Sequence, residues 1–274
     1  MRILVTGGTG HLGRPIVSAL QRQGHQVRVL ARRPSSRTDV EHVKGDLATG
    51  EGVRRAVMGV DEIIHAATNS PMAQRGRFTF ADLLRSPSDV DVGGTKALLA
   101  AAEEAGVAHF THVSIVALER QTRMVYARRK LEAEAEVMRS GVPWSIVRAT
   151  PFYWLAERMC ESMAKQRILA LPAQLTMEPV DSDEFAGYIV EGVADGRRGE
   201  WSDFVGPQTL TMVELMEQYL SLRGPERRIR RAPLPRKVQD ALSVGSTSPF
   251  ARRGTTTWAQ WLRGAHGGDL RPAA

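Results

Sequence analysis

Short apolar runs alternate with amphipathic stretches over the first half of the chain. Residues 3–5 form the first run, which stops at a glycine cluster and is typical of a parallel strand buried on both faces. Residues 12–20 then repeat apolar side chains at helical spacing, and Gly24 marks the end of that stretch. This order predicts a strand, a tight glycine turn and a helix, the βαβ unit of doubly wound α/β proteins.

The same alternation continues to about residue 150 and predicts a parallel sheet with helices on both faces. The second half predicts a helix that opens at 152, two more helices, a strand, an edge strand and two short helical segments. The predicted strands are 3–5, 27–30, 42–47, 63–68, 110–114, 144–150, 201–205 and 228–232, and the predicted helices are 12–22, 52–58, 92–105, 126–138, 182–193, 212–222, 236–243 and 256–262.

The glycine turn carries the first functional signal. Gly7, Gly10 and Gly13 stand between a predicted strand and a predicted helix, whose free N–H groups and positive dipole end favour a phosphate. Gly7 lets the chain turn, Gly10 lets the backbone approach a pyrophosphate, and Gly13 lets the helix pack closely. The spacing differs by one residue from the usual dinucleotide fingerprint, but its position between strand and helix predicts a dinucleotide site.

The residues after the second strand predict which dinucleotide binds. A site for NAD(H) places an acidic residue there to bind the ribose hydroxyls, whereas this chain has Arg32 and Arg33. A guanidinium binds phosphate in a bidentate manner, so we expect NADP(H) to be preferred over NAD(H). The alternative is a solvated loop in an arginine-rich protein.

A Tyr-x-x-x-Lys pair opens the helix after the fifth strand. Tyr126 and Lys130 share one helix face, where an ammonium lowers the pKa of a phenol from about 10. Such a tyrosine can protonate a carbonyl oxygen as hydride reaches the carbon, while Ser114 donates a hydrogen bond to that oxygen and Lys130 binds the ribose. The alternative is an ordinary helix surface.

Other cofactor contacts are expected at the carboxyl ends of the strands, where open parallel sheets bind ligands. Asp46 suits the adenine amino group or, alternatively, caps a turn. The expected cofactor-binding positions are Gly7, Thr9, Gly10, His11, Leu12, Gly13, Arg32, Arg33, Asp46, Leu47, Ala66, Ala67, Thr68, Lys130, Thr150, Pro151 and Phe152.

Two stretches are candidates for the substrate side of the site. Residues 69–88 form a long connection of a kind that often acts as a lid or binding loop. Aromatic residues and methionines after the sixth strand either line an apolar pocket or belong to the core. These residues are Phe152, Tyr153, Trp154, Met159 and Met163.

Composition restricts the remaining function classes. The net charge of +7 comes from 32 Arg and five Lys, and the densest basic run, 223–237, contains three prolines and no aromatic residues, which disfavours nucleic-acid binding. The single cysteine, Cys160, fits a reducing compartment and a buried structural position. We find no metal-ligand spacing, signal peptide or membrane-length apolar run, and expect a cytoplasmic protein.

The chain resembles the atypical and extended short-chain dehydrogenase/reductases, in particular the bacterial NmrA-like NAD(P)H-binding branch. The resemblance spans nearly the whole chain and is carried by five segments, 6–13, 45–47, 112–116, 126–131 and 141–150; the C-terminal segments 206–207 and 257–262 also look similar to the same group. It implies a Rossmann domain at 1–150, a smaller substrate region at 151–264 interleaved with the sheet, and a tail at 265–274. It also implies that Ser114, Tyr126 and Lys130 are the catalytic residues.

These observations predict an NADPH-dependent oxidoreductase that reduces a carbonyl or conjugated carbonyl of a small, fairly apolar molecule. The expected partner is that substrate, with no nucleic acid or membrane, and the chain is expected to be a monomer or homodimer. The alternatives are a non-catalytic NADP(H)-sensing regulatory protein and an NAD-dependent sugar-nucleotide epimerase or dehydratase.

Overall fold

A parallel sheet of nine strands forms the centre of the computed structural model, which describes residues 1–33, 38–69, 89–233, 245 and 248–264. Residues 3–5 are fully buried in it, as the continuous apolar run predicted. The strands of the described residues are β1 (Arg2–Thr6), β2 (Gln26–Ala31), β3 (Glu41–Lys44), β4 (Glu62–His65), β5 (His109–Ile115), β6 (Trp144–Ala149), β7 (Ile168–Pro172), β8 (Thr176–Met177), β9 (Gly199–Glu200), β10 (Phe204–Val205), β11 (Leu210–Thr211), β12 (Arg228–Ala232) and β13 (Arg252–Arg253).

Helices cover both faces of the sheet, which confirms the predicted doubly wound α/β class. A π-helical turn at Asp89–Gly94 runs directly into the helix after β4, and a 3-10 turn at Leu118–Gln121 follows β5. Within the described ranges the α-helices are α1 (Gly13–Arg22), α2 (Val53–Val57), α3 (Thr95–Glu104), α4 (Val125–Arg139), α5 (Tyr153–Ala164), α6 (Ser182–Ala194), α7 (Met212–Leu222) and α8 (Trp258–Gly264).

The order of strands in the large sheet is β13-β10-β6-β5-β4-β1-β2-β3, with β9 also paired to β6. All the pairings are parallel. The order reverses between β1 and β4, and ligands of such sheets bind beyond the carboxyl ends at that point. The glycine turn after β1 and the chain after β4 both lie there.

Three apolar clusters hold the layers together. The first packs α1 and α6 against one face of the sheet, and the second packs α2, α3 and α4 against the other. The third lies among α5, α7, α8 and β7, where Trp258 is fully buried. This third cluster is built from residues 153–262 alone.

Two predicted strands end earlier than the apolar pattern suggested. The predicted strand 42–47 ends at Lys44, because the chain turns back at Gly45 and Asp46 pairs with Glu51 in an isolated bridge. The predicted strand 63–68 ends at His65. Its neighbour β1 ends at Thr6, opposite His65, whereas β5 on the other side continues to Ile115.

The C-terminal half departs further from the prediction. Of the predicted strand 201–205 only the last two residues form a strand, β10. The short strand β9 ends just before this segment, and Trp201, between the two strands, turns its ring against Gly192 of α6. The predicted edge strand 228–232 is present as β12, and it pairs with β7, which the pattern did not predict. Helix 212–222 is confirmed, and the segment 256–262 is the helix 258–264.

Several predictions fall outside the described residues. They are the lid at 69–88, apart from its first residue, the helical segment at 236–243 and the tail at 265–274. Within the part of the chain that the structure describes, no helix is long and apolar enough to cross a membrane.

Candidate functional site

The glycine turn between β1 and α1 adopts the conformation that its sequence predicted. Gly7 has a φ of +73°, and the Gly10 N–H donates to the Gly7 carbonyl at 2.9 Å. A Cβ on Gly13 would overlap the same carbonyl oxygen, so α1 can start this close to the turn only with glycine. A Cβ on Gly10 would meet only the Gly7 oxygen, at 3.2 Å, among the described atoms. The outer side of Gly10 is therefore open to a bound group.

The N-terminus of α1 has the electrostatics of an anion site. No side chain caps it, its first turn contains no acid, and Arg14 stands one residue inside it. Partial burial and the charges of Arg158 and Arg14 lower the pKa of His11, which lies in the turn itself. The turn thus combines free backbone N–H groups with two guanidinium groups, which fits the diphosphate of a dinucleotide.

Trp154, which follows β6, covers the glycine turn from the β4 side of the point where the strand order reverses. Its indole ring stacks on His11 with 4.2 Å between ring centroids and 14° between the planes. The indole N–H is buried and has no hydrogen-bond partner among the described residues. A buried donor without an acceptor is costly, so a ligand that brings an acceptor here would be favoured.

The other residues predicted to line an apolar pocket belong mostly to the core. Tyr153 is 1% exposed, packs with its ring tilted against Trp258 and donates from its hydroxyl to the Thr256 carbonyl at 2.7 Å. Met159 and Met163 pack against the same cluster. Of the two predictions, pocket or core, these three side chains follow the core prediction. The helix α5 turns them toward α7 and α8 and away from the sheet edge.

The segment after β6 lies at the carboxyl edge beside the turn. The Thr150 hydroxyl is buried without a hydrogen-bond partner among the described residues, and Pro151 and Phe152 are half-buried. Phe152 packs at 5.8 Å from Phe185 of α6, between ring centroids. Thr150 thus offers an unpartnered polar group at the expected nicotinamide end.

The segment after β4 closes under the glycine turn. A Cβ on Gly7 would lie 2.8 Å from the Ala67 nitrogen and 2.9 Å from the Ala66 carbonyl, so the two chains are in direct backbone contact. Ala66 and Ala67 are half-buried, whereas Thr68 is exposed. Glycine is therefore required at position 7 for this close approach.

The Tyr-x-x-x-Lys pair meets Thr68 and a buried carboxylate. The Tyr126 hydroxyl lies 2.9 Å from Thr68 Oγ1, and Thr68 Oγ1 lies 2.6 Å from Asp91 Oδ1. Lys130 Nζ lies 4.0 Å from the same Asp91 oxygen and donates to the Val113 carbonyl at 3.0 Å. Both side chains of the predicted pair therefore converge on Asp91, which the sequence reasoning missed.

Lys130 and Asp91 are an almost fully buried pair of charges, with 3% and 1% of their side chains exposed. Burial lowers the pKa of Lys130, and the charges of Asp91 and Glu134 oppose that shift. A buried ammonium without a counter-ion would be strongly destabilising, so Asp91 compensates the lysine.

Ser114 stands next to Val113 on β5, and its hydroxyl is buried without a hydrogen-bond partner among the described residues. It therefore forms no hydrogen bond with Tyr126. The 3-10 turn that follows is preceded by Ala117, the one non-glycine residue with positive φ in the described chain, at 64°. Lys130 thus binds the carbonyl of the residue next to Ser114, whereas no hydrogen bond joins Ser114 to the Tyr126 phenol.

A second buried chain of hydrogen bonds joins this cluster to the glycine turn. Thr95 donates to the Asp91 backbone carbonyl at 2.6 Å and lies 2.9 Å from His65 Nε2, while His65 Nδ1 lies 2.6 Å from Thr6 Oγ1. Because the Thr95 hydrogen is committed to Asp91, His65 Nε2 donates to Thr95 and His65 Nδ1 accepts from Thr6. Burial, together with the Lys130 charge, lowers the pKa of His65 to about 3, which agrees with this neutral ring.

The missed residues had a weak sequence signal. Asp91 and Thr95 are four apart in an otherwise apolar helical stretch, which places two polar groups on one buried face. His65 is likewise a polar residue in an apolar stretch, because it ends the buried strand β4. His112, on β5, is also buried, and neither of its ring nitrogens has a partner among the described residues.

The residues predicted for the adenosine end occupy different environments. Arg32 and Arg33 follow β2 and are exposed, and no ion pair joins either to another described residue. Asp46 accepts from the Ala48 N–H at 2.9 Å, so it caps a turn, which was the alternative interpretation. Leu47 is buried in the second apolar cluster.

Comparisons with known proteins show the family to which the chain belongs. The sequence model of a family described as NAD(P)H-binding matches residues 7–166. The chain is 30% identical to the chloroplastic divinyl chlorophyllide a 8-vinyl-reductase of Oryza sativa subsp. indica over 87% of its own length. It spans 62% of the length of that rice protein.

A bacterial relative is covered more completely. The chain is 31% identical to a (4-alkanoyl-5-oxo-2,5-dihydrofuran-3-yl)methyl phosphate reductase of Streptomyces griseus, over 81% of this chain and 74% of the relative. Among solved structures, a short-chain dehydrogenase/reductase superfamily protein of Agrobacterium tumefaciens with bound NAD superposes with a TM-score of 0.69. It is 21% identical, covers 96% of this chain and 95% of its own, and so shows the fold alone.

Proposed function

The chain belongs to the NAD(P)H-binding family of the extended short-chain dehydrogenase/reductase class, and on that premise we propose that it is an NADPH-dependent reductase. Its substrate is a small, fairly apolar molecule with a carbonyl or a conjugated carbonyl group. The observation that carries the proposal is the placing of Tyr126 and buried Lys130 around Asp91, at the edge of the sheet where the glycine turn opens.

The cofactor end of the proposal uses residues with free polar groups. The N–H groups at the start of α1 hold the diphosphate, with Gly10 giving close access. Arg32 and Arg33, exposed after β2, bind the 2′-phosphate and so favour NADPH over NADH. Bound NADPH supplies the hydride for the reaction.

The catalytic end needs a proton donor and a group that orients the carbonyl. Tyr126 gives its hydroxyl proton to the substrate oxygen, and the Ser114 hydroxyl, which has no partner among the described residues, donates a hydrogen bond to the same oxygen. Lys130 keeps a positive charge beside the phenol and binds the nicotinamide ribose. The segment that begins at Thr150 encloses the nicotinamide from the β6 side, and residues 151–264 supply the substrate region.

Binding and turnover test the two ends separately. Titration with NADPH and NADH should show tighter NADPH binding, and the double variant Arg32→Ala/Arg33→Ala should lose that preference while NADH affinity stays unchanged. Arg22→Ala, an exposed arginine at the end of α1, is the matched control. Equal affinity for both cofactors in the unmodified chain would contradict the preference for NADPH.

Turnover is followed by loss of dihydronicotinamide absorbance with a panel of apolar ketones and enones. Tyr126→Phe should lower kcat by about 100-fold or more, since general acid catalysis typically contributes that much, and should leave NADPH affinity intact. Full turnover in Tyr126→Phe would exclude the phenol as the proton donor.

A dinucleotide-sensing regulatory protein is the second candidate. The observation that favours it is the Tyr126 hydroxyl bonded to Thr68 while Ser114 has no link to it. Such a protein would bind NADPH and NADP⁺ with different consequences for a partner and turn nothing over. Turnover of any member of the carbonyl panel would remove this candidate.

A further inference from the structure

Thr68 and Asp91 stand directly behind the Tyr126 hydroxyl. Thr68 Oγ1 lies 2.9 Å from the phenol oxygen and 2.6 Å from Asp91 Oδ1, and Asp91 Oδ2 accepts from the Asn69 N–H at 3.0 Å. Asp91 is 1% exposed and sits in the π-helical turn before α3. Both carboxylate oxygens are therefore held by the chain that follows β4.

The donor and acceptor in each hydrogen bond from Tyr126 through Thr68 to Asp91 follow from the chemistry of the three groups. A carboxylate only accepts, so Thr68 donates its single hydrogen to Asp91. Thr68 can then only accept from Tyr126, and the phenol is the donor. A phenolate at Tyr126 would face the Thr68 lone pair and the Asp91 charge behind it.

We propose that Asp91, acting through Thr68, is a positioning residue that keeps the Tyr126 phenol protonated and aligned in the free protein. This deepens the proposed function, because it rests on Tyr126 being the proton donor for a carbonyl. A donor has to hold its proton until the substrate arrives, and Lys130 alone would favour the phenolate. The carboxylate offsets the ammonium that lies 4.0 Å from it.

Three other titratable groups of the described chain lie near Asp91 and Lys130. Glu134, on α4 like Lys130, binds Arg148 at 2.6 Å, and His65 on β4 is neutral between its two threonine partners. Burial, followed by the charges of Lys130, His65 and Arg148, lowers the pKa of His112 on β5 well below its ordinary value. Asp91 and Lys130 are thus the charges that balance each other beside the phenol.

An alkaline titration of tyrosinate absorbance in the free protein tests the proposal without cofactor or substrate. The chain has four tyrosines, and burial raises the pKa of Tyr153, Tyr188 and Tyr219, the last to about 12. The first tyrosinate to form is therefore expected at Tyr126, and Tyr126→Phe should remove that transition.

The decisive variant is Asp91→Asn. The Asn69 N–H retains the amide oxygen as its acceptor, so the new NH₂ group faces Thr68 and reverses the hydrogen bond. Thr68 can then donate to a phenolate, and the charge behind it is gone. The first tyrosinate midpoint should move down by about one pH unit or more. Asp89→Asn, an exposed acid in the same turn, should leave it in place.

Thr68 gives an independent variant if Asp91→Asn does not fold. Because Thr68 is exposed, water replaces its hydroxyl in Thr68→Ala and can donate to a phenolate, so the midpoint should again fall. Thr68→Ser, which keeps the hydroxyl, should restore the original midpoint. An unmoved or raised midpoint in folded Asp91→Asn or Thr68→Ala would overturn the proposal, as would an equal shift in Asp89→Asn. The titration midpoints do not depend on reductase activity. A protein without reductase activity would therefore contradict the proposed function and leave the test of Asp91 intact.

Discussion

The indole of Trp154 lies flat on the imidazole of His11, with 4.2 Å between the ring centroids. The two residues are 143 positions apart (154 − 11) and meet because β6 lies in the same sheet as β1. His11 belongs to the glycine turn, so this stack brings the first residues of α5 to the expected diphosphate site. A group bound at the turn would therefore be reported by the fluorescence of one tryptophan.

The first prediction uses that stack. Binding of NADPH should quench the protein's tryptophan fluorescence, and Trp154→Phe should remove most of the change while NADPH still binds in a thermal-shift assay. Trp144→Phe, a half-buried tryptophan on β6 that packs against the second apolar cluster, is the control and should keep the signal. An unaltered signal in Trp154→Phe would place the dinucleotide elsewhere.

The second prediction separates the roles of the glycines. Gly13→Ala should lower the free energy of unfolding by about 2–3 kcal/mol, because its Cβ would overlap the Gly7 carbonyl. Gly10→Ala should fold with little loss, since its Cβ meets only one oxygen at 3.2 Å, yet bind NADPH about tenfold more weakly or worse.

Gly187, inside α6 with nothing within 4 Å of an added Cβ, is the matched control for both glycine variants. Gly187→Ala should stabilise the protein by about 0.5–1 kcal/mol. Urea unfolding curves measure all three. A stable Gly13→Ala would show that α1 can shift away from the turn.

The third prediction concerns acid stability. The pKa of His65 is lowered to about 3 and that of His112 is lowered as well, so the unfolded chain binds more protons below pH 6.5 than the folded one. The free energy of unfolding should therefore fall as the pH is lowered from about 6.5, by up to about 1.4 kcal/mol per pH unit for each histidine.

His112→Gln isolates one of these contributions. His112 makes no hydrogen bond to a described group, so its replacement by glutamine loses no hydrogen bond while it removes one titrating group. The dependence of unfolding on pH between about 6 and 4 should become shallower by the amount given for one histidine. His42→Gln, on β3 and outside this cluster, is the control. An unchanged slope in His112→Gln would mean that the ring takes up a proton in the folded state.

The fourth prediction concerns the single thiol. Cys160 is fully buried in the third apolar cluster, and this burial raises the pKa of its thiol, with Glu157 and Glu161 acting in the same direction. A thiol reagent should therefore modify the native protein only as fast as it unfolds, and modify the chain once in urea. Rapid labelling in native buffer would show that α5 opens away from α7.

Local patterns in the sequence were sufficient for the sheet and its class. Buried strands of a parallel sheet are rich in apolar residues, so β1, β2, β4, β5 and β6 were recognisable one at a time, and the resemblance to short-chain dehydrogenase/reductases was confirmed. The glycine turn was predictable because a positive φ at Gly7 and the contact at Gly13 are local requirements. Cys160 was rightly expected to be buried.

Strand ends and short pairings depended on neighbours far along the chain. The predicted strand 63–68 was too long because its pairing with β1 and with β5 stops at His65, and β7 went unpredicted because its partner, β12, begins 60 residues later (228 − 168). The side chains of Tyr153, Met159 and Met163 suited a pocket or a core equally well, and only the packing of α5 against α7 and α8 decided the question.

The sequence by itself determined the nucleotide-binding half and identified Tyr126 and Lys130 as a pair, since both follow from spacing along one strand, turn or helix. Only the tertiary structure revealed Asp91 and Thr68 behind the phenol, because those residues come from two other segments that meet at the edge of the sheet. A buried charge is stable only next to its counter-ion, and no spacing rule within a single helix expresses that requirement between α4 and the π-helical turn before α3.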